Sequence, residues 1–252
     1  MRGVFKELQR FAGRARGWWV AGLLLVAVVV LLGVMVLDDD GRTLAERVAD
    51  GGFASGALAF VMPAAIAGIV LVAGASGELR AMLAVEPRRE VVYRTKVSAA
   101  ALVVVPAVAA AYLLYAGGAW GVHAAAGMPA DGAGPDTAGL AAELAWTGLR
   151  VLALAAAAGA LGGALGTMIG RWPVATLVLC IALATIERVC RGLDAPEWSL
   201  TMNARAWLAG PHAVALTPGG AGPWWMGGLV VLGVVAVAVV VGSLVFRRRE
   251  LR

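Results

Sequence analysis

The chain has few of the residues from which catalytic and metal sites are built. It contains two cysteines, two histidines and 15% charged residues among 252. His123 and His212 stand alone, without the neighbours that a metal site needs, so we predict no metal site. Cys180 and Cys190 would lie about 15 Å apart on one helix, too far for a disulfide. We interpret both as packing residues.

A Walker-type nucleotide-binding loop is also absent. Its pattern, G-x-x-x-x-G-K-[ST], requires a lysine directly after a glycine. The only lysines are Lys6 and Lys96, and neither follows a glycine. We therefore predict that the chain is not an enzyme, and that it has no catalytic residue and no cofactor of its own.

Long apolar stretches dominate what is present. The chain is 61% hydrophobic, with a mean hydropathy of +0.83, and windows of about 18 to 20 apolar residues predict membrane helices. Hydrocarbon cannot satisfy backbone polar groups, so each span must be helical. The sequence predicts an all-α integral membrane protein, 1–252, with six spans at about 18–37, 56–75, 98–118, 145–169, 172–191 and 227–246.

The positions of the basic residues predict the orientation. Most of the 21 lysines and arginines fall at the two termini and between the second and third spans, whereas most acids fall in the alternate loops. The positive-inside rule then places both termini in the cytoplasm of a multi-pass cell-membrane protein. The excess positive charge lies at membrane edges, where anionic lipids are sufficient partners, and we predict no nucleic-acid binding.

Three segments outside the spans have a distinct character. Residues 1–16 alternate an apolar face, with Phe5, Leu8 and Phe11, with a basic face, which predicts an interfacial helix lying on the cytoplasmic leaflet. Residues 76–97 form a charged cytoplasmic loop large enough for one or two short helices. Residues 192–226 are too apolar for a simple exposed loop, and we predict a short helix around Trp207 and Leu208 that turns back toward the bilayer.

Three features leave two interpretations open. The glycines of the fourth span favour close helix packing, either at a subunit interface or within one chain; they are Gly159, Gly162, Gly163, Gly166 and Gly170. Arg150 and Glu187 are costly to bury alone, so they either form an ion pair between two spans or extend to water. The run at 38–40 either binds a cation or is a solvated acidic edge.

In the order of these segments the chain resembles the permeases of type-2 ATP-binding-cassette (ABC) exporters. Phe5-Lys6-Glu7-Leu8 is similar to the interfacial helix of that family, and Phe246-Arg247-Arg248-Arg249 to its basic tail. Gly77-Glu78-Leu79-Arg80, followed by Pro87-Arg88-Arg89, is similar to its loop between the second and third spans. Arg205-Ala206-Trp207-Leu208 resembles its re-entrant outer helices.

The resemblance implies a function. The loop between spans two and three would form a coupling helix, and Glu78, Arg80, Pro87, Arg88 and Arg89 would contact a separate cytoplasmic ATPase. Two ATPase copies, carrying ATP and Mg²⁺, would act on this chain and on a second permease copy or a paralogue. The expected activity is export of a hydrophobic or amphipathic drug, peptide or lipid by alternating access. Arg150, Glu187, Trp207 and Leu208 are the candidate outer gate.

The alternative is a polytopic protein that works without an ATPase, such as a channel, an ion-coupled transporter or a membrane enzyme. An ion-coupled carrier usually has acids or broken helices near mid-membrane. Here the middles of the predicted spans consist of alanine, valine, leucine and glycine. The sequence therefore favours the ABC permease over this alternative.

Overall fold

The computed structural model describes residues 15–37, 44–49, 51–73, 88–125, 137–195, 198–211 and 223–248. Within these ranges the elements are helical and no strand occurs, which confirms the all-α prediction. The helices are α1 (Ala15–Leu37), α2 (Leu44–Ala49), α3 (Gly52–Ala57), a 3₁₀ turn (Leu58–Phe60), α4 (Val61–Ala73), α5 (Arg89–Ala125), α6 (Thr137–Ile169), α7 (Trp172–Gly192), α8 (Leu200–Ala209) and α9 (Trp224–Arg248).

Among the described residues, five helical stretches are long and apolar enough to cross a membrane. These are Gly52–Ala73, Arg89–Ala125, Gly139–Ile169, Trp172–Gly192 and Trp224–Arg248, and they indicate a membrane protein. The first of them joins α3, the 3₁₀ turn and α4. The first predicted span falls on α1, where the apolar helix Gly22–Val34 is shorter than the others. The count of six spans stays a prediction.

The last part of the predicted loop at 76–97 is helical. Residues 89–97 are the first turns of α5, which continues without a break to Ala125. One face of these turns is buried, with Tyr93 and Lys96 among its residues, and an Arg94–Glu90 ion pair one turn apart supports the exposed face. The charges in this stretch suggested a surface loop because charge alone does not separate a loop from an amphipathic helix.

Several predicted features lie outside the described residues. The interfacial helix predicted at 1–16 is one of them, apart from its last two residues, which belong to α1. Of the predicted ATPase contacts, Glu78, Arg80 and Pro87 also lie outside. In the segment 192–226, the structure describes α8, which begins earlier than predicted because Ser199 caps it.

Helix α6 lies at the centre of the bundle and packs most closely on α4 and α5. The contacts involve small residues: a Cβ atom on Gly162 would overlap the carbonyl oxygen of Ala65, and one on Gly159 would lie 2.8 Å from the carbonyl oxygen of Ala100. Four glycines of the fourth span therefore serve packing within one chain, the second of the two interpretations offered by the sequence; they are Gly159, Gly162, Gly163 and Gly166. They are not available for a subunit interface.

Candidate functional site

The bundle has two chemically different ends. At one end α5 begins and α9 finishes; we call it the arginine end, after Arg88, Arg89, Arg94 and Arg247. At the other end α8 packs against the beginning of α9, where Gly227 lies against the backbone of Asn203. We call this the α8 end. The candidate site residues divide between the two ends.

A polar cavity of about 500 Å³ lies at the arginine end. The four arginines line it together with Glu90. The guanidinium of Arg89 donates a hydrogen bond to the carbonyl oxygen of Arg247 over 3.4 Å, which joins α5 to α9. Among the described residues, the lining has four guanidinium groups and one carboxylate, so this cavity, the arginine cleft, attracts anionic groups. It contains Arg88 and Arg89, two of the five residues predicted to contact an ATPase.

Directly beside the cleft, Tyr93 ties α5 to α9 inside the bundle. Its hydroxyl donates a hydrogen bond to the carbonyl oxygen of Val239 over 2.7 Å, and its ring centroid lies 5.8 Å from that of Phe246. Lys96, one turn further along α5, has no exposed surface. The sequence interpretation missed Tyr93 and Lys96 because both fell in the predicted loop. Their three-residue spacing, continued by Val97 and Ala100, is the helical signal that could have revealed this buried face.

At the α8 end, the side chains of Arg150 on α6 and Trp207 on α8 each donate a hydrogen bond to a backbone carbonyl oxygen of the other helix. The indole nitrogen of Trp207 donates to the carbonyl oxygen of Arg150 over 3.2 Å. The Arg150 guanidinium donates in return to the carbonyl oxygen of Leu208 over 3.4 Å. The same guanidinium lies 5.0 Å from the centre of the Trp224 ring, a cation–π contact. The structure thus brings together three of the four residues predicted for the outer gate.

The fourth residue, Glu187 of α7, binds the amino terminus of α8. Its carboxylate accepts hydrogen bonds from the hydroxyl of Ser199 (2.7 Å), the backbone N–H of Thr201 (2.8 Å) and the hydroxyl of Thr201 (2.9 Å). A carboxylate at this position also interacts favourably with the helix dipole. Glu187 and Arg150 therefore direct their hydrogen bonds to opposite ends of α8, so the two charges hold one helix between them.

Two further cavities lie beside α8. One is an apolar crevice of about 140 Å³ between α4, α6, α7, α8 and α9, with Leu183, Val235 and Thr201 in its lining. The other is a polar pocket of about 380 Å³, which includes Glu187, Arg191, Asp194 and Arg205. Thr201 lines both. No sequence motif predicts either cavity, because the lining residues come from helices far apart in the chain.

Of the two histidines, the structure describes His123, whereas His212 lies outside the described residues. Among the described residues, no group of three or more histidine, cysteine or acidic side chains is placed to hold a metal ion. His123 contacts the backbone carbonyl of Ala119 one turn earlier in its own helix, over 2.8 Å. Cys180 is exposed and Cys190 is buried, and both are free thiols.

Comparison with known proteins found no matching family model, curated protein or solved structure. The resemblance to ABC permeases is thus carried by the residues quoted for it. The features that bear on function are the arginine cleft, the continuous helix α5 and the hydrogen bonds that hold α8.

Proposed function

We propose that this chain is the transmembrane permease subunit of an ABC exporter, in the cell membrane with both termini in the cytoplasm. In this orientation the arginine end faces the cytoplasm and the α8 end faces outward. The positive-inside rule supports the assignment, because most of the 21 lysines and arginines fall at the two termini and between the second and third predicted spans.

The observation that carries the proposal is the continuity of α5. Its 37 residues run from the arginine cleft to the opposite end of the bundle. At 1.5 Å per residue the helix is about 55 Å long, well beyond the roughly 30 Å hydrocarbon thickness of a bilayer. Pro106 lies inside α5 and removes one backbone hydrogen bond there. A movement imposed at Arg89 is therefore transmitted along the turns before Pro106, where Tyr93 passes it to α9 through Val239.

The mechanism that we propose is mechanical. A cytoplasmic ATPase subunit, with its own ATP and Mg²⁺, would dock an acidic surface on the arginine cleft. Closure of two ATPase copies would move α5 and α9 as one unit, because the Arg89–Arg247 hydrogen bond couples the two helices. Helix α8, held by Arg150 and Glu187, would act as the outer gate that opens when α6 and α7 shift. Alternating access requires such a two-state element at each end.

A second permease copy or a paralogue would complete the translocation path. The glycines of α6 are occupied inside one chain, so the contact between permeases must use other surfaces. Helices α7 and α9 are the least buried of the five candidate spans, and their exposed residues are mostly apolar. We therefore assign the subunit contact to one of these two helices.

The test is stimulation of a partner ATPase. The candidate partner is a soluble Walker-type ATPase encoded by a neighbouring gene, co-purified with the permease in nanodiscs. Reversing two charges of the cleft, in Arg88→Glu with Arg89→Glu, should reduce both co-purification and permease-stimulated ATP hydrolysis. Losing two charge contacts of about 0.5 to 1 kcal/mol each weakens docking by roughly tenfold.

Arg171→Glu is the matched control. Arg171 is exposed, lies just before α7 at the same end of the bundle, and does not line the cleft. It should leave the stimulation unchanged while both variants insert normally. Equal stimulation by wild type and by the cleft variant would refute the docking site. Full transport by the chain alone would favour the ATPase-independent alternative.

A further inference from the structure

The apolar crevice and the polar pocket at the α8 end are neighbours. Leu183 of α7, Val235 of α9 and Ala204 of α8 line the apolar crevice. Thr201 lines both, so the two cavities adjoin at this residue. A cavity that is apolar at one side and charged at the other fits a molecule with the same division.

The crevice faces the surroundings of the bundle through the gap between α7 and α9. These two helices flank it without packing closely against each other. Exposed apolar side chains on these two helices include Val178 of α7 and Leu232 of α9. In a membrane, hydrocarbon chains cover such surfaces, so a chain can enter the crevice sideways without crossing water.

The size of the crevice fits part of an acyl chain. Its volume is about 140 Å³, close to the roughly 150 Å³ of an engineered apolar cavity that stays dry and binds benzene. A few methylene groups fill it, and the rest of a longer chain lies in the gap between α7 and α9. A small apolar molecule would fit the crevice, but it would leave the adjoining charges unused.

The polar pocket supplies binding partners for an anionic head group. Arg191 and Arg205 both line it and both are exposed. The carboxylate of Glu187 is already engaged by Ser199 and Thr201 at the start of α8. Asp194 also lines the pocket, beside the guanidinium groups of Arg191 and Arg205. Guanidinium groups bind phosphate oxygens with charge-assisted hydrogen bonds, so these two arginines are the groups that would hold a phosphate.

We propose that this cavity binds a glycerophospholipid, with the phosphate between Arg191 and Arg205 and one acyl chain in the crevice between Leu183 and Val235. The inference deepens the proposed function, since it names the substrate class of the exporter. It rests on that function only for the statement that the lipid is transported. Because α8 covers the crevice and carries Arg205, movement of α8 would release the chain and the head group together.

The experiment measures lipid binding to the purified chain without ATPase or ATP. Native mass spectrometry in detergent would compare phosphatidylglycerol, diacylglycerol and inorganic phosphate at equal concentrations. We expect phosphatidylglycerol to bind at least about tenfold more tightly than either part, since both halves of the cavity contribute to binding. Equal binding of diacylglycerol would overturn the assignment of the head group. Saturation by inorganic phosphate alone would overturn the role of the crevice.

Two variants test the two halves, each with a matched control. Leu183→Trp fills the crevice, and Arg191→Gln with Arg205→Gln neutralises the pocket; each should weaken phosphatidylglycerol binding about tenfold. The controls on α7 are Leu177→Trp and Arg188→Gln, which alter exposed residues outside both cavities. Equal loss of binding in variants and controls would contradict the proposal.

Photocrosslinking of the wild-type chain removes the dependence on folding of the variants. A phosphatidylglycerol with a photoreactive group in mid-chain should label the segments around Leu183 and Val235. Labelling confined to exposed positions such as Leu177 and Leu232 would show ordinary boundary lipid and overturn the site. Because no ATPase is present, failure here leaves the test of the arginine cleft intact, and failure of the ATPase test leaves lipid binding intact.

Discussion

Gly162 of α6 lies directly against the backbone of Ala65 of α4. A Cβ atom on Gly162 would overlap the carbonyl oxygen of Ala65, and Gly68 approaches Gly159 in the same way. Helices pack this closely in membranes only where both surfaces lack side-chain bulk. The α4–α6 contact is therefore the rigid core against which α5, α7 and α9 are arranged.

We predict that Gly162→Ala destabilises the protein. Alanine normally stabilises a helix relative to glycine by about 0.5 to 1 kcal/mol, but here the added methyl group forces α4 and α6 apart at a cost of about 1 to 3 kcal/mol. The melting temperature in detergent should fall by several degrees. Gly117→Ala is the control, since nothing lies within 4 Å of its Cβ position. A variant at 162 that melts like the control would contradict this packing.

Tyr93→Phe should loosen the link between α5 and α9. The variant keeps the ring against Phe246 but loses the hydrogen bond to Val239, which is worth about 1 kcal/mol. We expect a lower melting temperature and, with the partner ATPase present, weaker stimulation of ATP hydrolysis. Thr95→Val is the control, because the Thr95 hydroxyl bonds only to Val91 in its own helix. Equal effects of the two variants would argue against a specific link through Tyr93.

The burial of α8 predicts low chemical accessibility at Leu208. In a background with Cys180 and Cys190 replaced by alanine, Leu208→Cys should react several-fold more slowly with a membrane-impermeant thiol reagent than Trp198→Cys. Leu208 has no exposed surface, whereas Trp198 is 68% exposed. Similar rates in the resting state would mean that α8 lies open at the surface.

Adding Glu187→Gln to the Leu208→Cys protein should speed its labelling. Glutamine lacks the negative charge that faces the amino terminus of α8, and one of its two terminal atoms is a donor instead of an acceptor. The hydrogen bonds from Ser199 and Thr201 are then weakened, and α8 opens more often. Arg188→Gln is the neighbouring control, because the Arg188 side chain is exposed on α7. An unchanged labelling rate would show that Glu187 does not stabilise α8.

Gly210→Ala should destabilise the end of α8 for two separable reasons. Gly210 has φ +60°, a strained region for any other residue, and its Cβ position coincides with the guanidinium of Arg150. The backbone term costs about 1 to 3 kcal/mol. Combining the change with Arg150→Ala should remove the steric part and retain the backbone part, which a double-mutant cycle of melting temperatures measures.

Gly192→Ala is the control for the double-mutant cycle. Nothing lies within 4 Å of the Cβ position of Gly192, which is the last residue of α7. Strict additivity of the Gly210 and Arg150 changes would show that the two residues do not interact.

The sequence predicted much of the architecture, because long apolar runs allow few structures in a membrane. Five of the six predicted spans correspond to candidate membrane helices. The sequence predicted the third span at about 98–118 and a charged loop at 76–97 with room for one or two short helices, whereas α5 is one helix from Arg89 to Ala125. Tertiary contacts decided otherwise: Tyr93 and Lys96 are buried against neighbouring helices, and that burial extends the helix.

The functional residues divide in the same way. The sequence singled out Arg88, Arg89, Arg150, Glu187 and Trp207, since charged and aromatic residues near apolar spans need a reason to be there. It could not pair them, because Arg150 meets Trp207 across 57 positions of the chain. Nor could it choose between a subunit interface and internal packing for the glycines of α6.

What the sequence determined by itself is therefore the all-α class, the positions of the apolar helices and the concentration of positive charge at one edge. These follow from local composition, because hydrophobic length and charge are properties of consecutive residues. Only the tertiary structure decided that Glu187 caps α8, that Arg150 binds its other end, and that Thr201 joins an apolar crevice to a charged pocket. Each of these depends on residues that are distant in the chain, and the packing of α6 on α4 and α5 brings them together.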